Sequence, residues 1–176
     1  MKYIVSLFVI FLTTFCINLS KAEEKNILVY IDMDKVFNES LAGKSIIDQL
    51  EKVHKVNLNE FEKIEKDLKE KEENILSQKN ILSKEEYDKK IFLLKKEINN
   101  YKENRKEKIN FVSKKKIDGT KKLLKEINPI LADYSNKKNI SVILRKKDIV
   151  IAKTDLDITN EIIELVNSKV KKINLN

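Results

Sequence analysis

The chain of 176 residues holds one cysteine, one proline, two glycines, one histidine and no tryptophan. Each scarcity excludes something. Cys16 lies in an amino-terminal apolar segment that is expected to be removed, so the rest of the chain has no disulfide, no thiolate nucleophile and no cysteine metal site. His54 has no second histidine or cysteine with which to complete a metal site. Gly43, Gly119 and Pro129 are too few for a loop-rich domain, because tight turns draw on those residue types. Long helices are the expectation.

Long hydrophobic runs are also scarce, with one exception. Lys2, the apolar run from Ile4 to Leu19, and Ser20-Lys21-Ala22 have the order of a secretory signal peptide: charged start, apolar middle, small-x-small cleavage site. Thr13, Thr14 and Asn18 interrupt the run, which falls short of the roughly 20 apolar residues of a membrane span. Phe15 stands where a lipidation signal would place a small residue before its cysteine. Export is expected, with the mature chain starting near Glu23 and residues 1–22 discarded.

Catalytic signals fail one by one. Gly43-Lys44-Ser45 resembles the end of a phosphate-binding loop, but Asn38 occupies the position of that loop's first glycine. Asp155 and Asp157 are explained by a turn and a helix cap, and no Ser, His and Asp share a nucleophile context. The expectation is a protein that is not an enzyme, with no catalytic residue, cofactor or metal.

What is present is periodic. Ile27-Leu28-Val29-Tyr30-Ile31 is a β-branched apolar run that reads as a buried strand, followed by Asp32 and Asp34 as candidate helix caps. From Val36, helix signals run to about Leu82. Phe61, Ile64, Leu68, Ile75 and Leu82 recur at coiled-coil spacing, interrupted by Lys71 and Gln78. Ser83-Lys84-Glu85-Glu86 is a capping box opening a second helix, whose seam is Tyr87, Ile91, Leu94, Ile98 and Tyr101, then Arg105, Lys108, Val112 and Lys115. Two such helices across a tight turn make an antiparallel hairpin. At 1.5 Å per residue its first helix would extend about 65–70 Å, so the hairpin projects as an arm. Pro129 is expected to kink or break the return helix. Beyond it, Ile140 to Leu144 and Ile149 to Ile151 read as a β-hairpin around Arg145-Lys146-Lys147-Asp148, and Asp157 or Thr159 as the cap of a final helix.

The expected fold is therefore mainly α with a small β body. Residues 23–40 and 130–176 form a discontinuous β-rich head, and residues 41–129 form the arm. A head of that size is marginal alone, so the strands are expected to cover their edges against copies of themselves, through Ile27, Val29, Ile31, Val142, Leu144, Ile149 and Ile151.

Charge is as uneven as structure. Between Glu51 and Glu126 there are 22 Lys and Arg against 16 Asp and Glu, and the rest of the expected mature chain is balanced. The densest stretch holds Lys102, Arg105, Lys106, Lys108, Lys114, Lys115, Lys116, Lys121, Lys122 and Lys125 against Glu103, Glu107 and Asp118. Such a stripe either keeps a helix face soluble or attracts anions. Export separates it from nucleic acid, leaving acidic unfolded chains or an anionic lipid surface as partners. Phe92, Ile109 and Phe111 lie beside the seam, where they either touch a partner or pack within the arm.

Val29 to Ser40 followed by Ala42-Gly43-Lys44 resembles the amino-terminal signature of the Skp/OmpH family of periplasmic chaperones. Ile149 to Thr159 is similar to that family's last strand, turn and helix entry, and Leu82 to Tyr87 to its arm tip. The resemblance implies a periplasmic homotrimer with three helical arms around a cavity that holds unfolded outer-membrane proteins. It carries no catalytic residues. Two alternatives stay open, a structural coiled-coil envelope protein and a lipopolysaccharide or anionic-lipid binder.

Overall fold

The computed structural model describes residues 27–175; the expected signal peptide and Cys16 lie outside them. The chain is mainly helical with a small sheet, as its periodicity implied, and the sheet has two strands where three were expected. Strand β1 is Ile27–Ile31. Helix α1, Met33–Glu39, follows at once, because the Asp32 carboxylate accepts the Lys35 N–H at 2.9 Å and caps its first turn.

The expected single helix from Val36 to Leu82 is interrupted. Ser40 leaves helical geometry, its N–H closing α1 on the Val36 carbonyl and its Oγ accepting from Gly43 N–H at 3.1 Å to start α2, Leu41–Ser77. The cause is a close approach. A Cβ on Gly43 would lie 1.7 Å from the Phe37 carbonyl oxygen, so α1 folds tightly onto α2 where only glycine fits.

Helix α2 ends at Ser77, and a turn through residues 78–82 leads to α3, Lys84–Lys138, opened by the expected Ser83–Glu86 capping box. Pro129 does not break α3, which continues to Lys138. Ile127 and Ile130 on either side of the proline are both in the core, and their packing holds the helix across the missing hydrogen bond. At 1.5 Å per residue α3 is about 80 Å long. Asn139, in the left-handed region at φ 54°, turns the chain out of it.

Strand β2, Ile140–Arg145, pairs parallel with β1, Val29 opposite Ile143 and Tyr30 opposite Leu144. A parallel pair needs a crossover, and the whole helical hairpin supplies it. The expected β-hairpin does not form: Lys146–Asp148 is a 3-10 turn and residues 149–151 lie outside any strand. Arg145 Nε donates to Asp148 at 2.7 Å across that turn, and among the described residues β1 is the one strand that pairs with β2. A second 3-10 turn, Thr154–Leu156, precedes α4, Thr159–Lys169. Asp157 accepts from both the N–H and the hydroxyl of Thr159, and that hydroxyl accepts the Asp32 N–H at 2.9 Å, tying α4 to the start of α1.

One core gathers these pieces. Val29 and Ile31 of β1, Val36 of α1, Ala42 and Ile46 of α2, Leu123, Ile127 and Ile130 of α3, and Ile162 and Val166 of α4 all contribute. The first turns of α2 and the last of α3 thus belong to the base of the molecule, and the rest of the helical pair extends from it.

Candidate polypeptide-binding surface

Away from the base the two long helices touch along a thin seam. Phe61 is buried against Tyr101, edge to face at 6.1 Å, with the Arg105 guanidinium 5.4 Å from the Phe61 ring centre. Around them the contacts are polar. Arg105 pairs with Glu65 at 2.7 Å, Lys108 with Glu60, and the Tyr101 hydroxyl donates to Glu65. Burial, with Glu65 beside it, pushes the Tyr101 phenol up from its ordinary range.

Nearer the tip, the two polar interruptions of the seam find partners. Lys71 reaches Asp67 at 2.8 Å on its own helix and Glu97 at 2.7 Å on the other, and these bonds raise its pKa. Gln78 accepts from Lys90 at 2.7 Å.

Ile109 sits in an open groove of about 540 Å³ between the helices, with Leu68, Ile98 and Tyr101 as its apolar floor and Lys102, Arg105 and Lys106 along one side. It is 55% exposed, Phe92 68% and Phe111 51%, so none of the three is consumed by packing between the helices. They do not form one patch. At about 100° per residue, Phe92 and Phe111 point roughly 100° apart around α3. Ile117 shares the side of Phe92 and Leu93 that of Phe111, and both are also exposed. Sequence reading passed over these two, although their positions off the seam were the available signal.

The basic stretch divides by engagement. Arg105 and Lys108 are paired to α2, while Lys115 and Lys122 donate to the backbone carbonyls of Leu175 and Asn174. Lys115 also lies 5.3 Å from the Phe111 ring centre. The side chains of Lys102, Lys106, Lys114, Lys116, Lys121 and Lys125 are exposed and form no ion pair or hydrogen bond among the described residues.

The residues expected at an oligomer edge also separate. Val29 and Ile31 point into the chain's own core, and Ile27 packs against it. Ile149 is partly buried. Val142, Leu144 and Ile151 are exposed, joined by Leu28 and by Val150, which has no cover at all. The two-residue period of a strand explains the division: Leu28, Val142 and Leu144 share the outer face of the sheet.

His54 is an exposed residue of α2, and Asp155 lies in the turn before α4. Among the described residues no group of three or more His, Cys, Asp or Glu could hold a metal ion, and no helix is long and apolar enough to cross a membrane.

Among curated proteins, none matches the chain significantly. Among solved structures, the fold is similar to the crystal structure of a proposed outer membrane chaperone (OmpH-like) from Caulobacter crescentus CB15. The TM-score is 0.75 at 14% identity, covering 85% of this chain and 88% of that one. The model of the family described as outer membrane protein (OmpH-like) matches residues 28–166. With most of its length accounted for by that match, the chain belongs to the OmpH-like family.

Proposed function

We propose that this protein is a periplasmic holdase chaperone, which binds unfolded outer-membrane proteins between helical arms and keeps them from aggregating. The observation that carries the reading is the arm surface, where Phe92, Ile109 and Phe111 are more than half exposed among lysines free of ion pairs. The three apolar residues form no single docking patch; spread along a projecting arm, they offer the many separate weak contacts by which a flexible chain can be held. Family membership and the chaperone role proposed for the Caulobacter protein support it. The action is binding without catalysis. Lysines raise the rate of encounter with an acidic chain, and many weak apolar contacts retain it without a fixed pocket.

The same reading includes a homotrimer. Leu28, Val142 and Leu144 are an apolar outer face of the sheet, Val150 and Ile151 are exposed in the segment that follows, and such apolar surface is covered by self-association. A neighbouring copy would give residues 149–151 the strand partner they lack among the described residues.

A urea-unfolded acidic barrel protein diluted into buffer tests the proposal. In the presence of the mature chain it should stay soluble in a complex whose mass equals three copies plus one client. Aggregation at the rate seen without the chain sinks the reading. The six free lysines favour one further partner, an anionic lipid surface, and sedimentation with anionic but not neutral vesicles would establish it.

A further inference from the structure

Beyond Lys169 the last helix ends, and residues 170–175 continue without regular secondary structure. A short lysine-bearing segment without secondary structure of its own is ordinarily loosely held. Here Ile173 and Leu175 are 7% and 8% exposed and belong to the core cluster, while Lys172 and Asn174 face solvent. Burial at every second residue is the period of an extended chain. The seat of Leu175 is made by a missing side chain. A Cβ on Gly119 of α3 would come within 2.6 Å of Leu175 Cδ2 and 3.0 Å of Ile46 Cγ2.

The main chain of this tail is held by side chains of both long helices. From α2, Ser45 Oγ accepts the Ile173 N–H at 3.0 Å, Gln49 Nε2 donates to the Ile173 carbonyl at 2.7 Å, and Gln49 Oε1 accepts the Leu175 N–H at 3.2 Å. From α3, Lys122 donates to the Asn174 carbonyl at 2.8 Å and Lys115 to the Leu175 carbonyl. Every one of these bonds reads backbone, which all residues share. Selectivity is left to the two apolar seats.

We propose that this seat at the base of the arm is a binding site for extended polypeptide segments with apolar residues two apart, and that the tail is its built-in occupant, displaced by a client segment. The inference rests on the reading of the protein as a holder of unfolded barrels, whose membrane strands alternate apolar and polar residues. Side chains that bind main chain, with pockets for alternate residues, recognise many sequences of that pattern. In the absence of a client the tail covers both seats. Its local concentration, on the order of millimolar, sets the threshold a client segment must exceed.

The test uses the full chain carrying Ile173→Ser and Leu175→Ser and a fluorescent peptide with the sequence of residues 170–175. The peptide should bind this variant at least about tenfold more tightly than the unaltered chain, because the tethered competitor is gone. The same peptide with serine for its Ile and Leu should not bind. A synthetic peptide of about ten residues alternating Val with Thr should compete. Equal binding to both proteins, or binding of the serine peptide, overturns the proposal. A second measurement needs no substitution: excess Val-Thr peptide added to the unaltered chain should speed amide exchange at Ile173 and Leu175. Unchanged protection overturns the proposal even where the double variant fails to fold. A chain that holds barrels soluble yet binds no peptide loses this site and keeps its proposed function; one that binds peptide and holds no barrel does the reverse.

Discussion

At the base of the molecule Val36, Ile46, Ile162 and Val166 are wholly excluded from solvent, whereas between residues 47 and 118 only Phe61 and Leu94 are buried. The base is held by apolar area taken out of water, which salt barely weakens. The arm is held by a thin apolar seam and by charges that face water on one side, which salt screens. A single chain thus carries a body of high local stability and an extension of low stability, and low stability is where binding surfaces that must adapt are found.

The largest effect should separate the two regions outright. Ile162→Ala, at a site with no solvent exposure, should cost about 2–5 kcal/mol in urea unfolding, from lost transfer energy and the cavity left behind. Phe61→Ala removes a larger side chain, but its neighbours are Tyr101 and Arg105 at a surface that can relax. Its loss should appear as faster amide exchange in the arm with the main transition little moved. Equal displacement of the main transition by both would show one cooperative unit and break the comparison.

The next effect concerns encounter. The Debye length falls from about 10 Å at 0.1 M to about 3 Å at 1 M salt, so capture of an acidic unfolded barrel should slow by roughly tenfold, with dissociation changing less. Reversal of the unpaired Lys102, Lys106 and Lys114 to Glu should imitate high salt, and Phe92→Ala with Phe111→Ala should instead shorten the lifetime of the complex. Stopped-flow rates decide the matter: an association rate indifferent to salt and to the reversal leaves the lysines as a solvated face.

A smaller effect belongs to the base alone. Asp32→Ala should cost about 1 kcal/mol, because its carboxylate caps α1. The Lys35 amide, aided by Lys146 at 3.5 Å, holds that carboxyl below its ordinary value of 3.8. A depressed carboxyl stabilises the fold fully above its unfolded pKa and loses that contribution as pH falls through the folded one. The gap between wild type and Asp32→Ala should therefore be widest above the ordinary carboxylate value and narrow as pH falls below it. A gap independent of pH would show that the cap acts through packing.

What could be read in advance follows the range of each cause. The seam and the Ser83–Glu86 capping box depend on residues three to seven apart, and β1 on a short run of apolar residues, so all were legible. The break at Ser40 was not, because it follows from the Phe37 carbonyl closing on Gly43 in three dimensions. Residues 149–151 have the composition of a strand, but pairing is decided by tertiary context, and among the described residues they pair with no strand. In the candidate site, the places of Phe92, Ile109 and Phe111 off the seam could be read, but not whether they are exposed or packed within the arm. The engagement of Lys115 and Lys122 could not, since it depends on a tail whose two apolar residues carry no helical period.

The smallest effect sharpens the comparison most, because it asks whether the arm is weak by composition or by accident. Lys71 and Gln78 occupy seam positions where apolar residues would interlock, and in the structure each finds a polar partner on the opposite helix instead. These contacts lie at the surface, where water competes for every bond, so they fix the register of the helices more than they hold them together. Amide exchange around Ser83 should then be faster than in the base, and faster still at 1 M salt. Lys71→Leu with Gln78→Leu should slow it a few-fold and remove most of its salt dependence, while the main unfolding transition stays in place because the base is untouched. Exchange at Ser83 as slow as at Ile162 in the unaltered chain would mean that the polar contacts lock the arm as firmly as burial locks the body. Slower exchange in the double variant, together with weaker retention of an unfolded barrel, would tie the looseness of the tip to the holding of a client.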